Sequence, residues 1–262
     1  MKPVILGLPM YYTLWLVAAV CGIGAGRWLT RRAGLPGRSS LQCLLLVAVS
    51  IFVGSKLLFL LEQSTVAHWA AQPSDASTSA ELAHGFRLPG GILLTAILLP
   101  AYCRFLSLPL RRYADAFVPC VGIAIFFLRI GCFLRGCCFG ARTDGAFGVA
   151  FPAGSLAFEH QLLQHDIGWR AEQALPVHPL ELYFAAVGLV MFLLGLRWQR
   201  RAHVDGEVWA KELMLFFAST FVLEFVRAVP FPLNMVLTAG CFVVVGAWLV
   251  RLRKRAVAIA TA

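Results

Sequence analysis

The sequence has little charge for its length. Only 14% of its 262 residues are Asp, Glu, Lys or Arg, whereas 60% are hydrophobic. A soluble domain of this size needs a charged shell, and so few ionisable side chains cannot provide one. The shortage excludes an ordinary soluble protein and predicts an integral membrane protein.

Acidic residues are scarcer than basic ones, 13 against 23, which gives a net charge of +10. In a soluble protein this excess would indicate a nucleic-acid partner. In a membrane protein it is typical of anchoring charge on the cytoplasmic side. We therefore expect the lipid bilayer, and no nucleic acid, as a partner. The sequence also shows no internal repeat and no nucleotide-binding glycine pattern.

The sequence contains many long apolar segments. A span needs about 20 apolar residues to cross a hydrocarbon core of roughly 30 Å. The sequence predicts seven: residues 10–28, 41–61, 89–106, 114–134, 180–197, 212–228 and 232–250. We therefore expect an all-α integral membrane protein, with residues 1–262 forming a single transmembrane domain.

The basic residues predict the orientation of these spans. Most of them follow spans 1, 3 and 5 or lie in the C-terminal tail. Under the positive-inside bias, this alternation places the N-terminus outside and the C-terminus in the cytoplasm. Residues 135–179 then form a small extracytoplasmic lobe between spans 4 and 5. The expected location is the inner (cytoplasmic) membrane of a bacterium.

Several charges break the pattern because they lie within spans or at their outer ends. Lys56 lies past the middle of span 2, and either snorkels to the interface or faces a polar cavity. Glu224 and Arg227 are three residues apart in span 6, so they share a helix face and can pair. Arg129 and Arg135 end span 4, where guanidinium groups suit a phospholipid phosphate. These residues predict a phospholipid site in the outer leaflet.

Two stretches carry a specific resemblance. Residues 128–140 read Leu-Arg-Ile-Gly-Cys-Phe-Leu-Arg-Gly-Cys-Cys-Phe-Gly, and residues 177–183 read Val-His-Pro-Leu-Glu-Leu-Tyr. With Ser55-Lys56, Pro89-Gly90-Gly91 and Glu224-Phe225-Val226-Arg227, they resemble, in the same order, the motifs of the bacterial prolipoprotein diacylglyceryl transferase family. Members of that family have seven spans with the N-terminus outside.

The resemblance implies a lipid-modification reaction at the outer face of the inner membrane. A prolipoprotein cysteine thiol attacks a glyceryl carbon of phosphatidylglycerol, the diacylglyceryl group is transferred as a thioether, and glycerol phosphate leaves. It implies three catalytic residues, Arg129, Arg227 and His178. The implied substrate-binding residues are Lys56, Gly90, Gly91, Arg135, Gly136, Glu181, Tyr183 and Glu224. No cofactor or metal ion is implied.

The chain also departs from the family pattern. Pro89 replaces the histidine before the paired glycines, and Cys132, Arg135 and Cys137 replace the asparagines and the glutamate of the signature. Either another group, such as His84, supplies the lost function, or the chain is a divergent member. A divergent member would use another acceptor, or would bind lipid without catalysis. A channel or transporter is a third interpretation, indicated only by the intramembrane charge.

Three of the eight cysteines, Cys132, Cys137 and Cys138, are clustered near the expected outer surface. Free thiols that fill space are one interpretation of this cluster. A disulfide between Cys132 and Cys137 is another, since outer compartments permit one. A metal site would need further ligands, which His160 or His165 would have to supply.

Overall fold

The computed structural model describes residues 4–5, 8–70, 88–228 and 232–261. These residues contain a short hairpin, β1 (Val4–Ile5) paired antiparallel with β2 (Leu8–Pro9), and eight helices. The helices are α1 (Met10–Arg32), α2 (Gly37–Ala70), α3 (Leu88–Phe105), α4 (Leu110–Arg135), α5 (Leu156–Leu163), α6 (Leu180–Gln199), α7 (Glu207–Glu224) and α8 (Pro232–Thr261). The prediction of an α-helical membrane protein is confirmed.

Each predicted span coincides with a helix, but not every helix has the length and composition of a span. Within the described residues, five helices are long and apolar enough to cross a membrane: α1, α2, α4, α6 and α8. The apolar part of α3, Gly90–Phe105, is shorter, and α7 carries four charged side chains in 18 residues. The count of seven spans, and their orientation, stay predictions.

The surfaces of these helices are apolar. Large side chains such as Leu93 and Val236 are 62% and 68% exposed, and similar residues recur along α1, α2 and α6. Surfaces this apolar do not occur on water-facing monomers, whereas hydrocarbon tails solvate them well. The chain is therefore a multi-pass membrane protein.

The chain divides into two compact units, which we describe separately. One unit is Arg27–Tyr113. Within it, α2 and α3 pack through glycines: a Cβ on Gly54 would collide with the backbone of Gly90, and a Cβ on Gly91 would approach the carbonyl oxygen of Ile51 at 2.5 Å. Small residues let two membrane helices approach closely enough for backbone packing. The structure thus gives Gly90 and Gly91 a packing role.

The other unit comprises Met1–Gly26 and Ala114–Ala262. In it, α4 and α6 cross where a Cβ on Gly188 would lie 2.6 Å from the carbonyl oxygen of Gly122. The start of α7 is fixed by Asp115 of α4. Its carboxylate accepts the backbone N–H groups of Gly206 and Trp209 at 2.7 and 2.8 Å, which satisfies donors that a helix N-terminus leaves without partners.

Glu207, at the start of α7, links this helix to α8. Its buried carboxylate pairs with Lys211 at 2.7 Å and with Arg253 of α8. Burial acts to raise the pKa of Glu207, but the hydrogen bonds from Lys211 and Arg253 outweigh it and lower the pKa to about 2. The carboxylate is therefore ionised throughout the physiological pH range.

Residues 136–179 fold into an ordered lobe between α4 and α6. Its core consists of Phe151, Ala157, Phe158, Ala174 and Val177, with Phe133 and Phe139 packed against it. Ser155 caps α5 by accepting the backbone N–H of Phe158 at 3.2 Å. Isolated antiparallel bridges, such as Val149 with Val177, hold the rest of the segment in place.

Candidate functional site

The site is built where α4 ends and the lobe begins. Gly136 adopts a left-handed conformation, with a φ of 68°, and this ends the helix as C-terminal glycines commonly do. Its N–H donates to the carbonyl oxygen of Phe133 at 2.9 Å, and that of Cys137 donates to Cys132 at 3.2 Å. A Cβ at position 136 would press on Phe151 and Ser155. The predicted binding residue Gly136 therefore forms the turn that ends α4.

Backbone hydrogen bonds join three motifs that are distant in sequence, at the residues just after this turn. The backbone N–H of Gly140 donates to the carbonyl oxygen of His178 at 2.8 Å, and that of Ala141 donates to the carbonyl oxygen of Val226, also at 2.8 Å. His178 returns a hydrogen bond to Ala141 at 2.9 Å, and Gly140 forms an antiparallel bridge with Arg227. These backbone contacts bring the signature, the His-Pro segment and the Glu-to-Arg segment together.

The two predicted catalytic arginines come from different motifs but lie near one cysteine. Arg129 and Arg227 are both within electrostatic reach of Cys138. The guanidinium of Arg129 also stacks on Phe184, 4.4 Å from the ring centroid. Two guanidinium groups around one point form an anion-binding arrangement.

Arg227 is held by its neighbour Glu224. Its Nε lies 3.5 Å from Oε2 of Glu224, and the side chain of Asn234 donates to the same oxygen at 2.7 Å. The predicted pairing is therefore present, but the expectation that both residues lie on one helix is wrong. Helix α7 ends at Glu224, a turn follows at residues 225–226, and Arg227 forms the bridge to Gly140.

Glu181 is the most deeply buried acid of the site. It is fully buried, and neither carboxylate oxygen has a hydrogen-bond partner in another of the described residues. It interacts electrostatically with Cys138 and Arg129. An unpartnered buried carboxylate is costly, and Arg129 is a positive group within electrostatic reach of it.

His178 and Tyr183 form a second polar pair. Nδ1 of His178 lies 3.2 Å from the hydroxyl of Tyr183, one turn into α6. This contact orients the imidazole, and the backbone bonds to Ala141 and Gly140 fix its main chain. The predicted catalytic histidine is therefore held at the junction of the three motifs.

The remaining predicted residues lie elsewhere. The guanidinium of Arg135 lies over the ring of Tyr11, 4.9 Å from its centroid. Lys56, Gly90 and Gly91 belong to the unit Arg27–Tyr113, where the ammonium of Lys56 is 5.3 Å from the ring of Phe59. His84 and the side chain of Pro89 lie outside what the structure describes.

The cysteine cluster adds groups that the sequence did not assign to the site. The Sγ atoms of Cys132, Cys137 and Cys138 all lie within 4.8 Å of one another, and each is a free thiol. Hydrogen bonds from the other two thiols, with the positive charge of Arg129 and Arg227, lower the pKa of Cys138. Tyr11 of α1 also lies close to Cys132 and Cys137. No spacing in the sequence links Tyr11 to the signature.

Comparison with known proteins identifies a family. Residues 3–252 match the family model for prolipoprotein diacylglyceryl transferase. The chain is similar to the phosphatidylglycerol–prolipoprotein diacylglyceryl transferase of Caulobacter vibrioides, with 31% identity over 84% of this chain and 77% of that protein. It is also similar to the same-named protein of Clostridium tetani, with 28% identity over 57% of this chain.

The extent of these matches differs. The match spans only about half of the Clostridium tetani protein, 55% of its length. In Clostridium perfringens, a second transferase of this name is 25% identical over 71% of this chain and 66% of its own length. The family model, however, covers nearly the whole chain, from residue 3 to residue 252 within the last helix. On that match, and on the three motifs joined at Gly140, the chain belongs to the prolipoprotein diacylglyceryl transferase family.

Proposed function

We propose that this protein transfers a diacylglyceryl group from phosphatidylglycerol to the cysteine thiol of a prolipoprotein. Arg129 and Arg227, from motifs about a hundred residues apart, both lie within electrostatic reach of Cys138, and this supports the proposal most strongly. The names of the similar proteins supply the two substrates. We further propose seven spans with the N-terminus outside, in the bacterial inner membrane, so that the site faces the outer leaflet.

The reaction requires charge stabilisation on the leaving group. When the acceptor sulfur attacks the glyceryl carbon, the bond from carbon to phosphate oxygen breaks and glycerol phosphate leaves with the electron pair. Arg129 and Arg227 hold the phosphate and stabilise the charge that develops on that oxygen. One such donor typically contributes about 10²–10³ in rate, or about 3–4 kcal/mol.

The surrounding residues position these two guanidinium groups. Phe184 supports Arg129 by stacking, and the buried Glu224 fixes Arg227 by an ion pair. Glu181 contributes a negative charge close to Arg129. His178, oriented by Tyr183, is held at the same junction by its backbone bonds to Gly140 and Ala141.

Complementation of a bacterial strain depleted of its own transferase tests this proposal. We expect the chain to restore growth and the lipid modification of a reporter prolipoprotein whose acceptor is cysteine. The matched control is a reporter with serine at the acceptor position, which must stay unmodified. Normal expression in the membrane without modification of the cysteine reporter would favour the alternative, a divergent member that uses another acceptor or only binds lipid.

A further inference from the structure

The three cysteines around the turn at Gly136 form a compact set of thiols. Their Sγ atoms all lie within 4.8 Å of one another. Cys132 comes from the end of α4, while Cys137 and Cys138 follow the turn and fold back toward it. Cys138 is exposed and the other two are half-buried, so a second molecule can approach the set from the side of Cys138.

This separation suits the sulfur ligands of a zinc ion. With zinc–sulfur bonds of about 2.3 Å, the sulfurs of a tetrahedral site lie about 3.8 Å apart, which falls within the observed limit. Thiolates are soft ligands, and sites built from them select zinc or monovalent copper over magnesium and calcium.

The ligand count is that of a reactive zinc site. Among the described residues, no fourth His, Cys, Asp or Glu comes within this distance of all three thiols. Structural zinc sites have four protein ligands, whereas catalytic sites have three and leave one position open. Three thiolates and one zinc ion carry a net charge of −1, and Arg129 and Arg227 lie where they balance it.

We propose that Cys132, Cys137 and Cys138 bind one zinc ion, whose open position takes the thiol of the acceptor cysteine. This inference rests on the proposed transferase function. It gives the cluster the task of activating the nucleophile, while Arg129 and Arg227 stabilise the leaving group.

The chemistry balances without a change in oxidation state. The acceptor thiol displaces a water molecule from zinc and binds as the thiolate, and its proton passes to solvent water. The sulfur then forms a bond to the glyceryl carbon with one of its electron pairs. At the same time the carbon–oxygen bond to phosphate breaks, and glycerol phosphate leaves with the electron pair of that broken bond. The thioether is a weak neutral ligand, so water replaces it.

The proposed ion would activate the acceptor thiol directly. A free cysteine has a pKa of about 8.5, so little of it is thiolate at neutral pH, whereas a zinc-bound thiol is deprotonated outright. Activation by zinc therefore needs no separate side-chain base.

Metal analysis of the purified full-length protein tests the inference directly. The protein is purified in detergent without chelator, dialysed against Zn²⁺ and measured by elemental mass spectrometry. We expect about one zinc ion per chain in the wild type. Cys132→Ser, Cys137→Ser and Cys138→Ser should each lose most of the zinc. Cys241→Ser is the matched control, because Cys241 is an exposed free thiol of α8 outside the cluster, and it should keep the zinc.

A second measurement uses only the wild type, so a variant that fails to fold cannot obscure the result. Loading with Co²⁺ should produce a thiolate-to-cobalt charge-transfer band, and addition of the acceptor peptide should change the visible cobalt spectrum. A peptide with serine in place of cysteine should not. No metal in the wild type, equal zinc in all variants, or a Cys132–Cys137 disulfide in the protein as isolated would overturn the inference.

The two proposals fail in distinguishable ways. Diacylglyceryl transfer by zinc-free protein at the wild-type rate would overturn the role of zinc in activating the acceptor and leave the transferase function standing. Zinc bound by the three cysteines without any transfer would overturn the transferase function, and with it the role of the ion in activating the acceptor.

Discussion

The backbone N–H of Gly140 donates to the carbonyl oxygen of His178 at 2.8 Å, while Gly140 also forms an antiparallel bridge with Arg227. This one glycine therefore joins the signature after α4 to both of the other motifs in its unit. A Cβ at position 140 would lie 2.5 Å from the carbonyl oxygen of Val226 and 2.8 Å from the side chain of His178. The site depends on this close approach.

Replacing Gly140 by alanine should separate the three motifs. The new methyl group meets backbone, which cannot move aside cheaply, so we expect a fall in thermal stability of about 1–3 kcal/mol and a larger loss of transfer activity. Thermal unfolding in detergent and the transfer rate measure the two effects. Gly168→Ala is the control, because a Cβ there meets nothing within 4 Å. If Gly140→Ala, like the control, had the thermal stability and transfer rate of the wild type, the site would not depend on the close approach at Gly140.

Replacing either catalytic arginine should abolish most of the transfer. For Arg129→Ala and Arg227→Ala we expect the rate to fall about 10²–10³-fold or more, since each removes a cation from the leaving phosphate. The rate of peptide lipidation at saturating phosphatidylglycerol measures the loss. Arg170→Ala, an exposed residue of the lobe, should retain full activity. Activity of the Arg129 variant at the wild-type level would remove the basis of the proposed mechanism.

Glu181 offers a test of positioning against proton transfer. Glu181→Gln removes a buried charge that lacks a hydrogen-bond partner among the described residues, so thermal stability should rise by about 1–2 kcal/mol. Transfer should stay within about threefold of the wild type, because the amide fills nearly the same volume as the carboxyl group. Glu181→Leu should lower the transfer rate further. Complete loss of transfer in the glutamine variant would instead make the carboxylate an obligatory base.

The ion pairs of Glu207 predict a dependence of stability on pH. Its folded pKa of about 2 lies below the unfolded value of about 4.3, so the carboxylate stabilises the fold above the unfolded value. That contribution is lost as the pH falls from about 4.3 toward 2. Glu207→Gln should therefore lower the unfolding temperature at pH 7 and flatten its decline in acid. The exposed Glu172→Gln is the control, and an identical acid profile for Glu207→Gln and wild type would contradict the prediction.

Much of the fold was predictable because hydropathy and charge constrain a membrane protein strongly. All seven apolar runs became helices, and the ordered motifs identified the family from residues 128–140 and 177–183 alone. The boundary after Glu224 was not predictable, since the run continues to residue 228 while the bridge to Gly140 ends the helix earlier. A backbone contact between segments 87 residues apart leaves no local trace in the sequence.

The candidate site was predicted less completely. The motifs indicated Arg129, Arg227, His178 and Glu181, but no pattern showed that Arg129 and Arg227 both lie near Cys138. Cys138 enters the site because its φ of 66° folds it back toward Cys132, a conformation that non-glycine residues rarely adopt. Tyr11 reaches the cluster through packing of α1 on α4, where Gly131 lies beside Leu14 and Tyr11.

Diacylglyceryl transfer is measured most directly as the mass of the acceptor peptide after incubation with the purified protein and phosphatidylglycerol vesicles. We expect a peptide heavier by one diacylglyceryl group, attached as a thioether to cysteine, together with one equivalent of released glycerol phosphate. Vesicles of phosphatidylethanolamine alone provide the control for the lipid donor. An unmodified peptide after incubation with folded protein, in the presence of Zn²⁺ and phosphatidylglycerol, would contradict the account.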